Sequence, residues 1–521
     1  MYQALQRIYG LTGDKRFLVF RREEMERIHR GSLEVLRDVG CRIDHPRMRE
    51  LLRKAGHAVD EKTGVVRFDP EAVQALIERH RLEEPPREVP TRIPAVVGGL
   101  TTRIYDARAD RVRPATKRDL EEACIIGEAL PEVKEVGPLF IPQDVPADTC
   151  DVHAAQALVA RTRKAGGFEI FHAEAVRPIR EILTVVDGTW EAARKRFAPV
   201  YLSFINSPLM FMRAPLEIAF RAIELGFEVR FGAPMTVAGA TGPVTLAGTH
   251  VVSNAEALVG LACADATGQK WSYAASPVVL DPQTGATAYS GPDRVLLAAA
   301  TWDFCRFHGV EPGAHVGFTD AVLADFQAGF EIAYALFFQA LAGTTPGLCC
   351  GLTGPGGTTG SLPQILLDVE CLTILERMMQ PVEVSEETLC VELIKRVGIG
   401  GNYLAEEHTA AHFREALWLG GLMRRVTAEE YNRNHRTALS AACARVEEIL
   451  REHDTRVLTV EQEKEVARIV GEADARSARG RGFHAKRAKQ TVVRKEAKED
   501  AVSRRGRKGR KGQTSKRRNR R

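Results

Sequence analysis

The chain has 521 residues, 44% of them hydrophobic, with a mean hydropathy of −0.19 and a net charge of +5. This length suffices for two or three ordinary domains or for one barrel with a large extension, and the composition is that of a globular protein. The sequence holds no run of about 18 uncharged apolar residues and no signal-peptide pattern at its start, which argues against a membrane or exported protein. We therefore expect a cytoplasmic protein without membrane contact.

Residues 1–116 are predicted to form an N-terminal helical cap with a small β element. Apolar residues recur at helical spacing from Arg21 to about Ile77, and Pro70 stands where the first turn of a third helix is expected. Between Thr91 and Ala115 short alternating runs replace this pattern, and "DARAD" is a candidate hairpin turn.

Residues 117–380 alternate between strand-like apolar runs and amphipathic helices. Seven runs qualify as strands, at 135–141, 167–172, 199–206, 228–235, 270–275, 313–319 and 345–352. Parallel strands covered by helices produce this alternation. It predicts an α/β fold of the (β/α)8 TIM-type barrel class, in which an eighth strand is not identified.

The C-terminal part is predicted to contain helices over 381–471, with Ser385 as an N-cap, and a disordered basic tail over 472–521. From Arg476 onward the sequence has 20 Lys or Arg against 3 Asp or Glu, a net of +17, so the rest of the chain carries −12. Such a tail fits sequence-independent binding to nucleic acid or to an acidic partner, and it fits a solubilising extension equally well.

Ten cysteines are spread through the chain without a close framework of pairs, which indicates reduced thiols. Neither a C-x-x-C nor an H-x-C spacing occurs, so no metal site is predicted. Cys349 and Cys350 are adjacent, but no nearby Lys, Arg or His is placed to activate a thiol, which favours inert buried cysteines over methyl acceptors.

The stretch "GATGPVTLAGTHVVSNAEALVG" (239–260) is a glycine-rich turn that leads into a helix, as in phosphate-binding loops. No Lys or Arg occurs between Arg230 and Lys270, and the G-x-G-x-x-G spacing is missing, which argues against a nucleotide. Because the stretch follows a predicted strand, we expect a long loop at the C-terminal mouth of the barrel. Its glycines let the backbone approach a large neutral ligand, or they only pack the loop.

Several segments resemble the trimethylamine methyltransferase family, in order, over roughly residues 20–425. They are "EEMERIHRGSLEVLRDVGCRIDHP" (23–46), "VRPATKRDLEEACIIGEALPEVKEVGPLFIPQDVP" (112–146), "GAPMTVAGATGPVTLAGTHVVSNAEALVG" (232–260), "QTGATAYSGPD" (283–293), "DFQAGFE" (325–331) and "GNYLAEEHTAAHFREALW" (401–418). The resemblance implies a TIM-type barrel that moves a methyl group from a methylated amine to the Co(I) of a corrinoid protein, with no tightly bound cofactor of its own.

The family's founding members carry pyrrolysine in the barrel, whereas this chain has only ordinary residues and so resembles the relatives that act on quaternary amines such as betaines. It departs from those relatives in the glycine-rich stretch "GLCCGLTGPGGTTG" (347–360). A barrel that has lost transfer activity and serves as a scaffold, with the tail as its contact, is an alternative. A zinc-thiolate methyltransferase is disfavoured by the missing H-x-C pattern, and a homo-oligomer is compatible with the sequence.

Transfer from a quaternary amine requires alignment, not a general acid, because the amine departs as a neutral molecule; no catalytic residue is assigned. Aromatic faces suit a diffuse cation. Candidate substrate-binding residues at predicted strand ends and loops are Phe140, Gln143, Phe171, His172, Asn206, Phe231, Tyr273, Tyr289, Phe318 and Glu331. For each aromatic except Tyr289, core packing is the competing interpretation, and for Glu331 it is helix capping. Loops facing the corrinoid are predicted around Gly239, Gly242, Gly248, Gly354 and Gly357.

Overall fold

The computed structural model describes residues 18–83, 94–197, 200–202, 206–232, 234–310, 315–344, 347–453 and 456–479. Parts of four predicted strands (199–206, 228–235, 313–319 and 345–352) and most of the predicted basic tail, from residue 480 onward, lie outside these ranges. Within them the predicted α/β class is confirmed. No described helix is both long and apolar enough to cross a bilayer.

The described strands are short. In chain order they are β1 (Cys41–Ile43), β2 (Ala58–Asp60), β3 (Val65–Arg67), β4 (Ala95–Val97), β5 (Arg103–Asp106), β6 (Arg111–Pro114), β7 (Val133–Val136), β8 (Val200–Leu202), β9 (Met210–Phe211), β10 (Val229–Phe231), β11 (Val237–Ala238), β12 (Lys270–Trp271), β13 (Val278–Leu280), β14 (Thr287–Ala288), β15 (His315–Val316), β16 (Gly347–Cys350), β17 (Leu352–Thr353) and β18 (Thr359–Gly360).

These strands form five sheets, with the orders β2-β3-β1-β9, β12-β10-β8, β11-β13-β14, β15-β16-β4-β7 and β17-β18-β5-β6. The second and fourth sheets are entirely parallel. None of the five closes into a barrel among the described residues, so the predicted barrel is not confirmed. The hairpin predicted at "DARAD" is confirmed, because β5 and β6 pair in antiparallel register across it.

Two strand assignments differ from the sequence prediction. Residues 167–172 are irregular, and the chain just before them contacts β7 through a bridge between Val136 and Ala165. The side chain of Glu135 fills the space in which a Cβ on Gly166 would lie, so the chain passes β7 closely at this point. Conversely β4, which the prediction placed within the N-terminal cap, is a parallel strand between β7 and β16.

The α-helices cover the sheets. Before residue 310 they are Arg22–Asp38, Pro46–Lys54, Pro70–Arg79, Lys117–Ala129, Cys150–Arg161, Val176–Asp187, Trp190–Arg196, Arg213–Glu224, Leu246–Thr267 and Pro292–His308. After it they are Phe326–Leu341, Leu362–Met379, Glu386–Leu389, Val391–Val397, Glu407–Ala416, Ala428–Asn434, Ala438–Glu452 and 460–479. The predictions for Pro70 in a first turn and for Ser385 as an N-cap are confirmed.

The Leu246–Thr267 helix lies at the centre of the core, since its residues from Ser253 to Ala264 are all buried. Asn254 in this helix accepts a hydrogen bond from the Tyr273 hydroxyl at 2.9 Å and lies within hydrogen-bonding distance of His308 and His29. The Arg22–Asp38 helix packs against the same helix through Ser32, whose hydroxyl donates to the Val251 carbonyl at 2.9 Å. The N-terminal helices are therefore part of this core.

The final helix extends to residue 479, so the boundary predicted at 471 falls inside it. Arg468 forms ion pairs with Glu465 and Glu472 along its exposed face. Asp474 accepts a hydrogen bond from the Thr149 hydroxyl at 2.5 Å and contacts His153 at 3.2 Å. These contacts offset the loss of conformational entropy when residues 472–479 become helical, although this stretch has few aliphatic side chains to bury.

Candidate active site

A cavity of about 390 Å³ lies where the parallel strands end. The segments that follow β4 and β7 form one wall with residues 167–169, and β16 contributes Cys349. Met235, Ala274 and Phe318, each shortly after another parallel strand, complete the lining. Ligand sites in α/β folds with parallel strands lie at this edge of the sheet, which makes the cavity the candidate active site.

Two carboxylates line this cavity, Glu135 and Glu169. Burial raises the pKa of Glu169 to about 7. Its Oε2 atom is buried, and no described residue forms a hydrogen bond with it. Burial also raises the pKa of Glu135, whose carboxylate accepts a hydrogen bond from the Gly167 backbone. A cation bound beside such buried carboxyl groups stabilises their ionised forms, because its positive charge offsets the loss of hydration.

Arg294, in the first turn of the Pro292–His308 helix, also lines the cavity. This residue is 2% exposed, and its Nη2 donates to the Ser276 hydroxyl at 3.0 Å. Burial lowers the pKa of its guanidinium to about 10, while the nearby Tyr289 and Asp320 act in the opposite direction. Arg294 still carries a full positive charge at neutral pH, so two carboxyl groups and a cation line the same cavity.

Tyr289 is held at the cavity mouth by its backbone. Its amide donates to Asp320 at 2.9 Å, its ring lies 5.4 Å from that of Phe318, and its hydroxyl donates to Met235 Sδ at 3.1 Å. Glu331 accepts hydrogen bonds from the Thr319 hydroxyl at 2.6 Å and the Asp320 amide at 2.9 Å. Glu331 therefore supports the loop that carries Phe318 and Asp320, one layer behind the cavity.

Glycine-rich turns border the mouth. Gly357 has φ +62°, and a Cβ there would lie 3.0 Å from the Tyr289 ring and 3.1 Å from Leu352. Gly354, also at positive φ, begins the same turn, which lies against β14. The turn containing Gly239 and Gly242 follows β11, which pairs with β13, and β13 pairs with β14. The sheet β11-β13-β14 thus connects the two predicted glycine loops, and Gly248 packs on Pro243 inside the next helix.

The structure brings two of the ten predicted substrate-binding residues, Tyr289 and Phe318, to the cavity. Three others, Phe140, Phe231 and Tyr273, are no more than 1% exposed and pack in the core, which was the competing interpretation. The remaining five do not line it: Gln143 is exposed, Asn206 pairs its backbone with Met210, Phe171 and His172 lie beside Asp151, and Glu331 supports the loop of Phe318.

His172 belongs to a second cluster. Atoms of Cys150, Asp151 and His172 lie within 4.8 Å of one another, a composition found in metal sites that no sequence spacing signalled. Asp151 Oδ2 accepts hydrogen bonds from the backbone amides of Phe171 at 3.0 Å and His172 at 3.2 Å, and its attraction raises the pKa of His172. Hydrogen bonds within the protein therefore account for this cluster.

The adjacent cysteines differ in position. Cys349 lines the cavity, whereas Cys350 is fully buried beneath it. Burial raises the pKa of Cys349 to about 12 and that of Cys350 well above its ordinary value. Both are neutral thiols at physiological pH, as expected of inert cysteines.

Sequence reasoning missed Glu135, Glu169 and Arg294. The two glutamates stand within the strand-like runs "EVGPLFI" and "GFEIFH". A parallel strand covered on both faces has no side that faces solvent, so a glutamate within it must be buried. That position was the signal in the sequence for a buried charged group. Arg294 carries no comparable signal, because a basic residue in a first turn is ordinary on an exposed helix.

Comparisons with known proteins identify the family of this chain. Residues 5–475 match the model of the family described as trimethylamine methyltransferase (MTTB). The chain is 27% identical over 483 residues to trimethylamine methyltransferase MttB of Methanosarcina barkeri, covering 88% of this chain and 95% of that protein. It is 24% identical over 454 residues to glycine betaine methyltransferase of Desulfitobacterium hafniense (strain Y51), covering 84% and 92%. The chain belongs to the trimethylamine methyltransferase family, and it is a methyltransferase.

Proposed function

We propose that this methyltransferase binds a small methylated amine, of the quaternary type, in the cavity between Glu135, Glu169 and Tyr289 and transfers one methyl group to a corrinoid protein. The observation that carries the proposal is the presence of two carboxyl groups with raised pKa values in one cavity lined by the rings of Tyr289 and Phe318. One of the two has a buried oxygen to which no described residue donates a hydrogen bond. A quaternary ammonium donates no hydrogen bond, so it interacts through charge and ring faces.

The chain's own residues bind and orient the substrate. The cationic head lies toward Glu135 and Glu169, and the rings of Tyr289 and Phe318 limit its rotation. A docked corrinoid of the partner protein would supply the Co(I) electron pair for the new bond to the methyl carbon, and the electron pair of the C–N bond would stay on nitrogen. Since the amine leaves neutral, the protein supplies alignment and no proton.

We propose that the partner's corrinoid docks on the open side of the cavity. Met235 of the cavity lining and Val244, in the loop that follows β11, are apolar and 42% and 73% exposed. Exposed apolar side chains of this kind favour docking of another molecule over contact with solvent. In this proposal the partner brings the corrinoid, and the chain itself holds no tightly bound cofactor.

We also propose that the two parallel sheets are arcs of one (β/α)8 barrel with β4 as the strand that the sequence did not reveal. The pairing of β4 with β16, the first and last strands in chain order of the two entirely parallel sheets, supports closure. So does the run of parallel neighbours in chain order, β8, β10 and β12, each followed by a helix. A crystal structure in which β12 neighbours β15 is the test.

The function is tested by mixing the purified protein with a Co(I) corrinoid protein and a panel that includes trimethylamine and glycine betaine. The corrinoid absorbance is followed with time. We expect a change with at least one quaternary amine, and a rate at least tenfold lower for Glu169→Gln than for the exposed control Glu191→Gln. A silent panel with a partner known to be competent would overturn the proposal.

A further inference from the structure

Asp320 joins the two loops that carry the aromatic side chains of the cavity. Tyr289 follows β14, and Phe318 and Asp320 follow β15. The carboxylate of Asp320 accepts hydrogen bonds from the backbone amides of Tyr289 at 2.9 Å and Ser290 at 3.0 Å and from the Ser290 hydroxyl at 2.7 Å. Tyr289 and Asp320 are 31 residues apart in the sequence, so this contact is tertiary and not a local turn.

The contact is reciprocal and largely closed to solvent. Ser290 is 1% exposed, and its hydroxyl also accepts a hydrogen bond from the Asp320 amide at 3.0 Å. The Phe326–Leu341 helix anchors both sides, because Glu331 accepts from the Asp320 amide at 2.9 Å and the Tyr334 hydroxyl donates to the Ser290 carbonyl. Hydrogen bonds to a charged carboxylate are roughly twice as strong as those between neutral groups, so they hold the two loops together as one unit.

Asp320 lies behind the wall of the cavity. Among the described residues, Tyr289 and Phe318 line the cavity and Asp320 does not. The centroids of the two rings are 5.4 Å apart, and each ring is attached to a backbone segment that Asp320 holds. The helix that carries Arg294 begins at Pro292, directly after the same contact. Asp320 therefore does not reach a ligand itself, but it sets the positions of three side chains that line the cavity.

We propose that Asp320 is a positioning residue, which holds the rings of Tyr289 and Phe318 as a preformed pair for the cationic head of the substrate. The inference rests on the function proposed for the cavity. Rings that are fixed before binding lose little conformational freedom when the ligand enters, so more of the attraction between cation and ring contributes to affinity. Removal of the link should therefore weaken the binding of a quaternary ammonium although no direct contact with it is lost.

The first test is calorimetric titration of glycine betaine into the wild type, Asp320→Asn and Asp325→Asn. Asp320→Asn keeps the volume of the side chain but places an NH2 group, which is a donor, against backbone amides that are donors themselves. We expect its affinity to be about tenfold lower than that of the wild type. Asp325→Asn is the matched control, because Asp325 caps the Phe326–Leu341 helix and Asn caps a helix equally well. Its affinity should equal that of the wild type.

The second test shows whether Asp320 acts through Tyr289. The same titration is made with Tyr289→Leu and with Tyr289→Leu/Asp320→Asn. If Asp320 controls the position of the ring, adding Asp320→Asn to Tyr289→Leu should lower the affinity by less than about threefold. A general loss of structure would instead lower the affinity by about tenfold in both backgrounds.

A third measurement needs no ligand. Hydrogen exchange, followed by mass spectrometry, should be faster over residues 286–292 in Asp320→Asn than in the wild type, while thermal unfolding stays cooperative. Wild-type affinity in Asp320→Asn, a full tenfold loss in the Tyr289→Leu background, or unchanged exchange would overturn the proposal. Failure of the proposed function has a different result: the wild type itself then binds no quaternary amine, and the proposal for Asp320 is overturned with it.

Discussion

Burial and charge oppose each other at Glu169. The pKa of its carboxyl is raised to about 7, and a bound quaternary ammonium favours the ionised form. We expect the affinity for glycine betaine to rise with pH up to about 7 and to level off above it, being about tenfold lower one unit below the pKa than well above it. Calorimetric titration between pH 5.5 and pH 8.5 measures this.

The matched variant Glu169→Gln should bind more weakly at high pH and show a flatter pH profile. A wild-type affinity that does not change across this range would contradict the role given to Glu169. Stability changes in the opposite direction: the folded state holds this proton more tightly than the unfolded state, whose carboxyl pKa is near 4.5. The free energy of unfolding therefore falls as pH rises from about 4.5 to about 7.

The sequence could predict the aromatic part of the site better than its charged part. Tyr289 was singled out because it stands in a loop without regular pattern, and it lines the cavity. Phe140 and Tyr273 are also aromatic residues near predicted strand ends, but they are buried in the core, since a ring at a strand end can pack there as well as bind a ligand. Glu135 and Glu169 lie within predicted strands, and their one signal was that a glutamate in a strand covered on both faces has no access to solvent.

Among the elements, the turn of Gly354 and Gly357 controls the position of Tyr289. In Gly357→Ala the new Cβ would meet the Tyr289 ring, whereas in Gly268→Ala, with nearly the same φ of +65°, it would meet nothing within 4 Å. Both changes should cost about 1 kcal/mol of stability from backbone strain. Only Gly357→Ala should also weaken substrate binding, by several-fold, in a calorimetric titration. Equal binding by the two variants would show that the turn does not position the ring.

The buried Leu246–Thr267 helix depends on Asn254 for its polar contacts. Asn254→Ala would leave the Tyr273 hydroxyl and the nitrogens of His29 and His308 without that partner, and we expect a loss of about 3 kcal/mol in the free energy of unfolding. Urea unfolding measures it, with the exposed Asn432→Ala as control. A loss no larger than the control's would mean that the histidines find other partners.

The same histidines make stability depend on pH. Burial lowers the pKa of His29 and places that of His308 well below its ordinary 6.5, so the folded state resists their protonation. The histidines' contribution to the free energy of unfolding should fall as pH drops below about 6.5, because the unfolded chain then binds protons that the folded chain does not. Urea midpoints at pH 5 and pH 7.5 are compared between the wild type and His29→Gln/His308→Gln, which separates this contribution from the opposite one of Glu169. The change from pH 7.5 to pH 5 should be more favourable to the folded state in the double variant, and an equal change in both proteins would contradict the prediction.

At the scale of the whole molecule, the charge asymmetry predicts that the basic C-terminal residues bind DNA and that the acidic remainder of the chain does not. Residues 480–521 hold 18 Lys or Arg against 3 Asp or Glu, a net of +15, so a chain ending at Arg479 would carry −10. We expect the full chain to be retained on DNA without sequence preference and to be released by salt. The shortened chain should pass through the column while keeping its methyl transfer, and equal retention of both would locate the affinity in the body.

The fold class was predictable from the sequence, but the complete set of strands and the exposure of some helices were not. Alternating strands and helices gave the α/β class, yet β4 was hidden because three residues, Ala95–Val97, leave no periodicity to read. The exposure of residues 380–416 was not predictable either. Helices are predicted over 381–471, but the sequence gives no signal that the helices within 380–416 have no buried residue. The sequence shows which face of a helix is apolar, but whether another element covers that face is known only from the structure.

The most direct measurement compares glycine betaine with 3,3-dimethylbutanoate, which has the same shape but carbon in place of the cationic nitrogen. Both are titrated calorimetrically into the wild type and into Glu135→Gln/Glu169→Gln at pH 8. We predict that the wild type prefers the cation by at least about tenfold and that the double variant loses most of this preference. Equal affinity of the wild type for both molecules would contradict a cation site in this cavity.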